Sequence, residues 1–222
     1  EKRQEYRCKG GLTSIFTCYG RLIRFYGYFF IGTALGFAFC AAILPEDISS
    51  AMFLAQKNEY TNILQLSSKV TAQAEGLSFG GIFLHNLEVL ALMLVFSFIY
   101  SIGSIFLLVW NASLVGIFLE SYIRESFLTY AKFGIFGFPA AFLMGSFSGL
   151  LRLLPHGIFE ISAFFMASIS GGILSVAIER RMYRKSNIKE IAIDVAAFFL
   201  FSVLLLAIGA LVESSIIFGA IS

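Results

Sequence analysis

Apolar residues along this chain gather into long runs, at roughly 25–44, 84–109, 133–151, 156–177 and 191–213, separated by polar stretches. Each run reaches or approaches the ~20 residues that a helix needs to cross a hydrocarbon core, the third being the shortest. In lipid the backbone must satisfy its own hydrogen bonds, so the runs predict helices. The pattern therefore predicts an all-α, polytopic membrane helix bundle of about five transmembrane helices, with residues 1–222 as a single integral membrane domain. The first run follows a basic stretch, as a signal core does. It is longer than such a core and lacks a small-residue cleavage site, so it reads as a retained span.

Two connections carry structure of their own. In the stretch 45–83, Pro45-Glu46-Asp47 ends the first run and offers Asp47 as a helix cap. Ile63, Leu66 and Val70 then recur at helical spacing, which predicts a short amphipathic helix within an extracytoplasmic connection. The stretch 112–132 reads as a second surface helix, cytoplasmic or interfacial. There Glu120 and Arg124 form an i,i+4 pair, with Leu114, Phe118 and Leu128 on its buried side.

Composition and charge sharpen this picture. The chain is 58% hydrophobic and only 14% charged, well below the ~25% charged residues of soluble domains. A net charge of +2 gives no case for nucleic acid. Basic residues cluster at Lys2, Arg3, Arg7, Lys9, Arg21 and Arg24, and again at Arg180, Arg181, Arg184, Lys185 and Lys189. Five spans with the N-terminus inside put thirteen basic residues in the cytoplasm and three (Lys57, Lys69 and Arg152) outside. Splitting 84–121 into two crossings gives seven inside and nine outside. Charge asymmetry thus predicts five spans, N-in and C-out, and a multi-pass protein of the cell membrane. Cys8, Cys18 and Cys40 fit no metal or redox spacing. Small-residue pairs at Gly32/Gly36 and Gly145/Gly149, continued by Ala163, Ala167 and Gly171, predict close helix packing, within one chain or in a homodimer.

Ionisable groups at membrane depth are costly and mark function by default. They are His85 and Glu88 beside Asn86, Arg152, His156 and Glu160, Asp194, and Glu213. On the five-span topology His85, Glu88, His156, Glu160 and Glu213 share a level near the outer leaflet. Leu154-Pro155-His156-Gly157 reads as a turn leading into a helix, with Pro155 in the first turn. His156 and Glu160 then lie four residues apart on one face. Three readings remain open: a structural hydrogen-bond network including Asn86, Asn111, Pro155 and Gly157; a divalent metal site using His156 and Glu160 with His85, Glu88 or Glu213; and a proton or ion path, as in a small transporter or channel component. A metal-dependent membrane enzyme is a further alternative, but no nucleophile–base pair, phosphate loop or cofactor fingerprint points to it. Asn111, beside an interfacial Trp110, reads either as a helix-ending residue or as a polar contact to a neighbouring span.

The string Leu154-Pro155-His156-Gly157-Ile158-Phe159-Glu160-Ile161-Ser162-Ala163 resembles the signature of the stage II sporulation protein M family. His85-Asn86-Leu87-Glu88-Val89 with Val109-Trp110-Asn111, and Ala210-Leu211-Val212-Glu213-Ser214, are similar to that family's landmarks in the second and last spans. The chain departs from the pattern at Ala112, where glycine is expected. The resemblance implies a five-span, non-enzymatic scaffold. In endospore formers such a protein is thought to organise peptidoglycan-degrading partners outside the membrane; in other relatives the role is envelope organisation more generally. The lipid bilayer and membrane or envelope proteins are the partners it implies.

Overall fold

The structure, a computed structural model, describes residues 12–72, 77–99, 103–179 and 188–219, with the side chains of His156 and of some helix-end residues outside that description. The described residues form seven α-helices: α1 (Leu12–Ile43), α2 (Glu46–Met52), α3 (Leu54–Ala72), α4 (Leu77–Ile99), α5 (Gly103–Tyr130), α6 (Gly137–Glu179) and α7 (Ile188–Gly219). A short 3-10 segment, Ala131–Phe136, joins α5 to α6. Five apolar stretches on α1, α4, α5, α6 and α7 are long enough to cross a membrane: Ile23–Ile43, Phe79–Phe96, Ile105–Pro155, which runs from α5 into α6, Gly157–Ser175 and Ile191–Ser215.

Contacts between named residues fix the directions of these five. On α5, Gly116 lies against Ala34, Phe37 and Ala38 of α1, and Arg124 reaches the carbonyls of Ala41 and Leu44, so α1 and α5 run parallel. Gly145 and Gly149 of α6 meet Ile123 and Leu119 of α5, so α6 runs back. Asn86 and Met93 of α4 meet Glu160 and Ser168 of α6 in the same order, which makes α4 parallel to α6. On α7, Val195 meets Ser170 and Glu213 comes within electrostatic reach of Glu160, which makes α7 antiparallel to α6. The five helices therefore alternate in chain order. α1 and α7 start at one end of the bundle, the basic end, which among the described residues carries Arg21, Arg24 and Lys189 of the two clusters. The α1–α4 connection and the α5–α6 turn lie at the other.

The core follows the same axis. Near the basic end all five helices contribute to it, among others through Phe30, Leu90, Met93, Leu108, Phe165 and Leu206. Towards the other end, Ala38, Leu119 and Ile123 continue it with Phe142 and Leu150 from α6. There Phe53 packs with Ala41 and Ile117, against Phe37 and Tyr60, and so seats α2 and α3 on α1 and α5. Lipid is as apolar as these side chains, so tight packing rather than water exclusion holds such helices together. Glycine makes that packing possible at Gly116, where a Cβ would stand 2.6 Å from the Phe37 Cβ, and at Gly145, where it would stand 2.5 Å from the Ile123 Cα. Gly32 and Gly36 have no atom within 4 Å of such a Cβ, so their face of α1 is open in the single chain.

Three expected boundaries differ. The run 84–109 is not one helix: α4 ends at Ile99 and α5 begins at Gly103, although the sequence between them stays apolar and carries no charge or proline. Residues 112–130 are not a separate surface helix but the second half of α5, and Arg124 lies at the end of the bundle where α1 finishes, away from the basic clusters. The runs 133–151 and 156–177 join as α6, with Pro155 in the helix interior rather than its first turn. Proline there deprives the Leu151 carbonyl of its helical donor, a loss that membrane helices tolerate when neighbours or local adjustments compensate.

Candidate functional site

Two polar groupings interrupt the apolar interior. The first joins α4, α6 and α7. Asn86, Leu90 and Met93 share one face of α4, the face turned to α6, where Leu90 and Met93 are fully buried. From that face the Asn86 Nδ2 donates a 2.7 Å hydrogen bond to Glu160 Oε1. Glu213 approaches from the last part of α7, close enough for the two carboxyls to act on each other electrostatically. A carboxyl at this depth is expensive to desolvate, and the carboxamide donor offsets part of that cost.

The other expected members distribute unevenly. His85 is half-buried on α4, whereas Glu88 is exposed and stands two positions from Asn86, on a different face of the helix. His156 lies on α6 one turn before Glu160; its side chain is outside the described residues. Gly157 is buried, and a Cβ there would come within 2.8 Å of the Leu153 Cγ. Asn111 directs its Nδ2 to the Leu107 carbonyl of its own helix, 2.9 Å away, and Asp194 lies near the start of α7. Among the described residues, no three His, Cys, Asp or Glu side chains gather closely enough to hold a metal ion.

The second grouping centres on Glu120, which is 4% exposed. One oxygen, Oε1, accepts from Ser49 Oγ on α2 at 3.1 Å, Lys57 Nζ on α3 at 3.3 Å and Arg124 Nε on α5 at 2.7 Å. Arg124 Nη2 also donates to the Ala41 and Leu44 carbonyls at 2.8 and 3.0 Å. Those carbonyls belong to the last turn of α1 and the residue after it, where a helix has no donors of its own left, so the guanidinium serves as a C-terminal cap. One carboxylate thus ties together α2, α3 and α5, and through Arg124 the end of α1. Beside it the Tyr60 ring of α3 meets Phe118 of α5 edge-on, 6.2 Å between centroids, and Tyr122 stacks obliquely on Phe118. Burial, and secondarily the nearby Tyr122, push the Tyr60 phenol above its ordinary pKa.

Sequence reasoning found Glu120 and Arg124 as a solvated i,i+4 pair and missed Ser49 and Lys57. The available signal was Glu120 itself, an acid within the apolar run Leu114–Leu119 and its continuation, a position that calls for a buried cation.

Among known proteins, the family model described as SpoIIM, Stage II sporulation protein M, matches residues 25–216. No curated protein matches the chain, and no solved structure does.

Proposed function

The chain belongs to the stage II sporulation protein M family, and on that premise we propose that it is a non-enzymatic scaffold of the cell membrane that presents α2 and α3 to an envelope-remodelling partner. The observation that carries this reading is the attachment of α2 and α3 to the bundle through Glu120. α3 has the composition of a surface helix, LAQKNEYTNILQLSSKVTA, in contrast to the apolar helices around it. A polar helix held by a buried ion pair against a rigid membrane bundle is displayed in a fixed pose. That is what an anchor for a partner requires.

Sidedness follows from the charges. Eleven of the sixteen Lys and Arg residues belong to the two clusters flanking the starts of α1 and α7. The remaining five, Lys57, Lys69, Arg124, Lys132 and Arg152, belong to the other half of the bundle. The positive-inside rule then supports N-in and C-out, with α2 and α3 outside the cytoplasm.

In this reading the Asn86–Glu160 hydrogen bond is an internal fastening that fixes α4 to α6. The test is photo-crosslinking from Asn58 and Asn62, both exposed on α3, in intact cells of the source organism. The expected product is an adduct with an envelope protein, lost when Glu120→Ala releases the α3 pose. Adducts only with cytoplasmic proteins, or none at either position, would overturn the proposal.

A further inference from the structure

At the end of the bundle away from the basic clusters, the α5–α6 hairpin turns over on an unusually apolar tip. Leu128 is 83% exposed, Ile135 86% and Phe136 74%, and Phe127 and Phe133 are also exposed. Gly134, at φ 59°, makes the turn possible, in a backbone region that side chains disfavour. The single charge within Ala131–Phe136 is Lys132, and its ammonium sits 5.3 Å from the centre of the Phe133 ring. A loop meant for water carries turn-forming polar residues instead.

The apolar surface does not stop at the tip. Leu143, Phe147, Leu151, Leu154 and Ile158 continue it down one exposed stripe of α6 at three- and four-residue spacing. α6 has 43 residues, about 64 Å of helix at ~1.5 Å per residue, roughly twice the ~30 Å of a hydrocarbon core. A helix that long, standing upright, would lift the upper part of the stripe and the tip into water. Contiguous exposed apolar surface of that extent is not left in water by soluble proteins.

We propose that the Leu128–Phe136 tip is a lipid-facing anchor: α6 crosses at a steep tilt, and the tip lies in the phospholipid leaflet opposite the basic clusters, with Lys132 reaching the lipid phosphates. Two features favour lipid over a protein partner. The tip is continuous with the membrane-facing stripe of α6, and a lone lysine folded along an aromatic ring is the arrangement by which an ammonium stays at the headgroups while its stem lies among chains. The anchor makes the hairpin a strut within the leaflet, so that α2 and α3, fastened to α5 through Glu120, are held at the membrane surface.

The chain has one tryptophan, Trp110, so a single-probe protein is readily made. In a Trp110→Phe background, Phe136→Trp and, separately, Ile135→Trp are reconstituted into phosphatidylcholine vesicles with or without brominated acyl chains. The expected result is a blue-shifted emission that loses intensity to the brominated chains and little to aqueous iodide. Emission typical of water with strong iodide quenching would overturn the proposal. So would a probe shielded from both quenchers, which would place a second copy or another protein on the tip. Should the tryptophan substitutions prevent folding, a spin label at Ile135→Cys, with the three native cysteines replaced by serine, reads the same depth from its accessibility to oxygen against a water-soluble relaxant. Greater accessibility to the water-soluble relaxant, or protection from both, again overturns it.

Discussion

Lys57 and Glu120 stand 63 positions apart in the chain, yet the lysine Nζ lies 3.3 Å from the carboxylate Oε1. The pair closes the long excursion from α1 through α2 and α3 back onto α5. Since Arg124 and Ser49 use the same oxygen, Glu120 is the common point of the arrangement. Glu120→Ala leaves two cations facing a hole. The Lys57 and Arg124 side chains are 26% and 33% exposed, so water relieves some of the penalty. The expected loss is about 3 kcal/mol, the lower end for breaking a buried pair. Unfolding in detergent should show it, and a double-mutant cycle with Lys57→Met should show coupling. Additive effects of the two substitutions would mean that the bond carries no energy.

Asn86→Ala should destabilise the protein by about 1–3 kcal/mol, because it removes the carboxamide donor from the part-buried Glu160. Glu160→Gln keeps an acceptor oxygen toward Asn86 and removes one of two neighbouring carboxyls, so it should cost less than Glu160→Ala. Chemical unfolding in detergent or bicelles ranks the three variants. A Glu160→Gln protein less stable than Glu160→Ala would show that the carboxyl does something other than fasten helices.

The contrast between these two groupings shows what the sequence could and could not convey. The number of membrane-length helices and the membrane class follow from the distribution of apolar runs, since lipid imposes its constraints on composition directly. The division between α4 and α5 did not show, because the sequence across it, through Tyr100-Ser101-Ile102, carries no charge or proline to interrupt the hydropathy. Pro155 misled in the opposite sense, since proline ends most soluble helices but continues inside α6. The same break and join decide where Arg124 lies, at the end of the bundle where α1 finishes rather than at the basic end. Its partners, the carbonyls of Ala41 and Leu44, have no side-chain signature at all.

The glycines predict opposite signs for the same substitution. Alanine is favoured over glycine in a helix by about 1 kcal/mol. At Gly32 nothing obstructs the new Cβ, so Gly32→Ala should be neutral or stabilising. At Gly145 the Cβ would meet the Ile123 backbone at 2.5 Å, and backbone cannot step aside as a flexible side chain can. Gly145→Ala should therefore lower stability by about 1–3 kcal/mol, the usual cost of overpacking. Thermal unfolding with size analysis decides the matter. Destabilisation by Gly32→Ala together with a change in oligomer size would reveal a partner on the open face of α1.

Tyr60 links stability to alkaline pH. Its phenol is neutral in the fold to a higher pH than in the unfolded chain, through burial first and Tyr122 second. The contribution is fully present below the ordinary tyrosine value of 10.0 and is lost as pH rises from there through the folded value. Tyr60→Phe should therefore flatten part of the stability decline above that value while leaving neutral-pH stability little changed. An unaltered alkaline slope in the Tyr60→Phe protein would show that the phenol ionises freely in the folded state.

Cysteine accessibility tests the alternation of helices on which sidedness depends. In a chain with Cys8, Cys18 and Cys40 replaced by serine, single cysteines are placed at Asn58 on α3, Glu125 on α5 and Lys189 on α7, all exposed positions. Arg124, next to Glu125, holds the last carbonyls of α1, so Glu125 belongs to the end where α3 is fastened. Lys189 belongs to the opposite end, where α7 starts. An impermeant thiol reagent applied outside cells should label the cysteines at 58 and 125 and spare the one at 189 until the membrane is opened. Labelling of 125 and 189 from one side, with 58 from the other, would return residues 112–130 to the cytoplasmic face. It would also separate Lys57 from Glu120 across the bilayer, which their bond forbids. Labelling of 189 alone from outside would preserve the fold and invert its orientation, placing α2 and α3 in the cytoplasm and removing the basis for an extracytoplasmic partner.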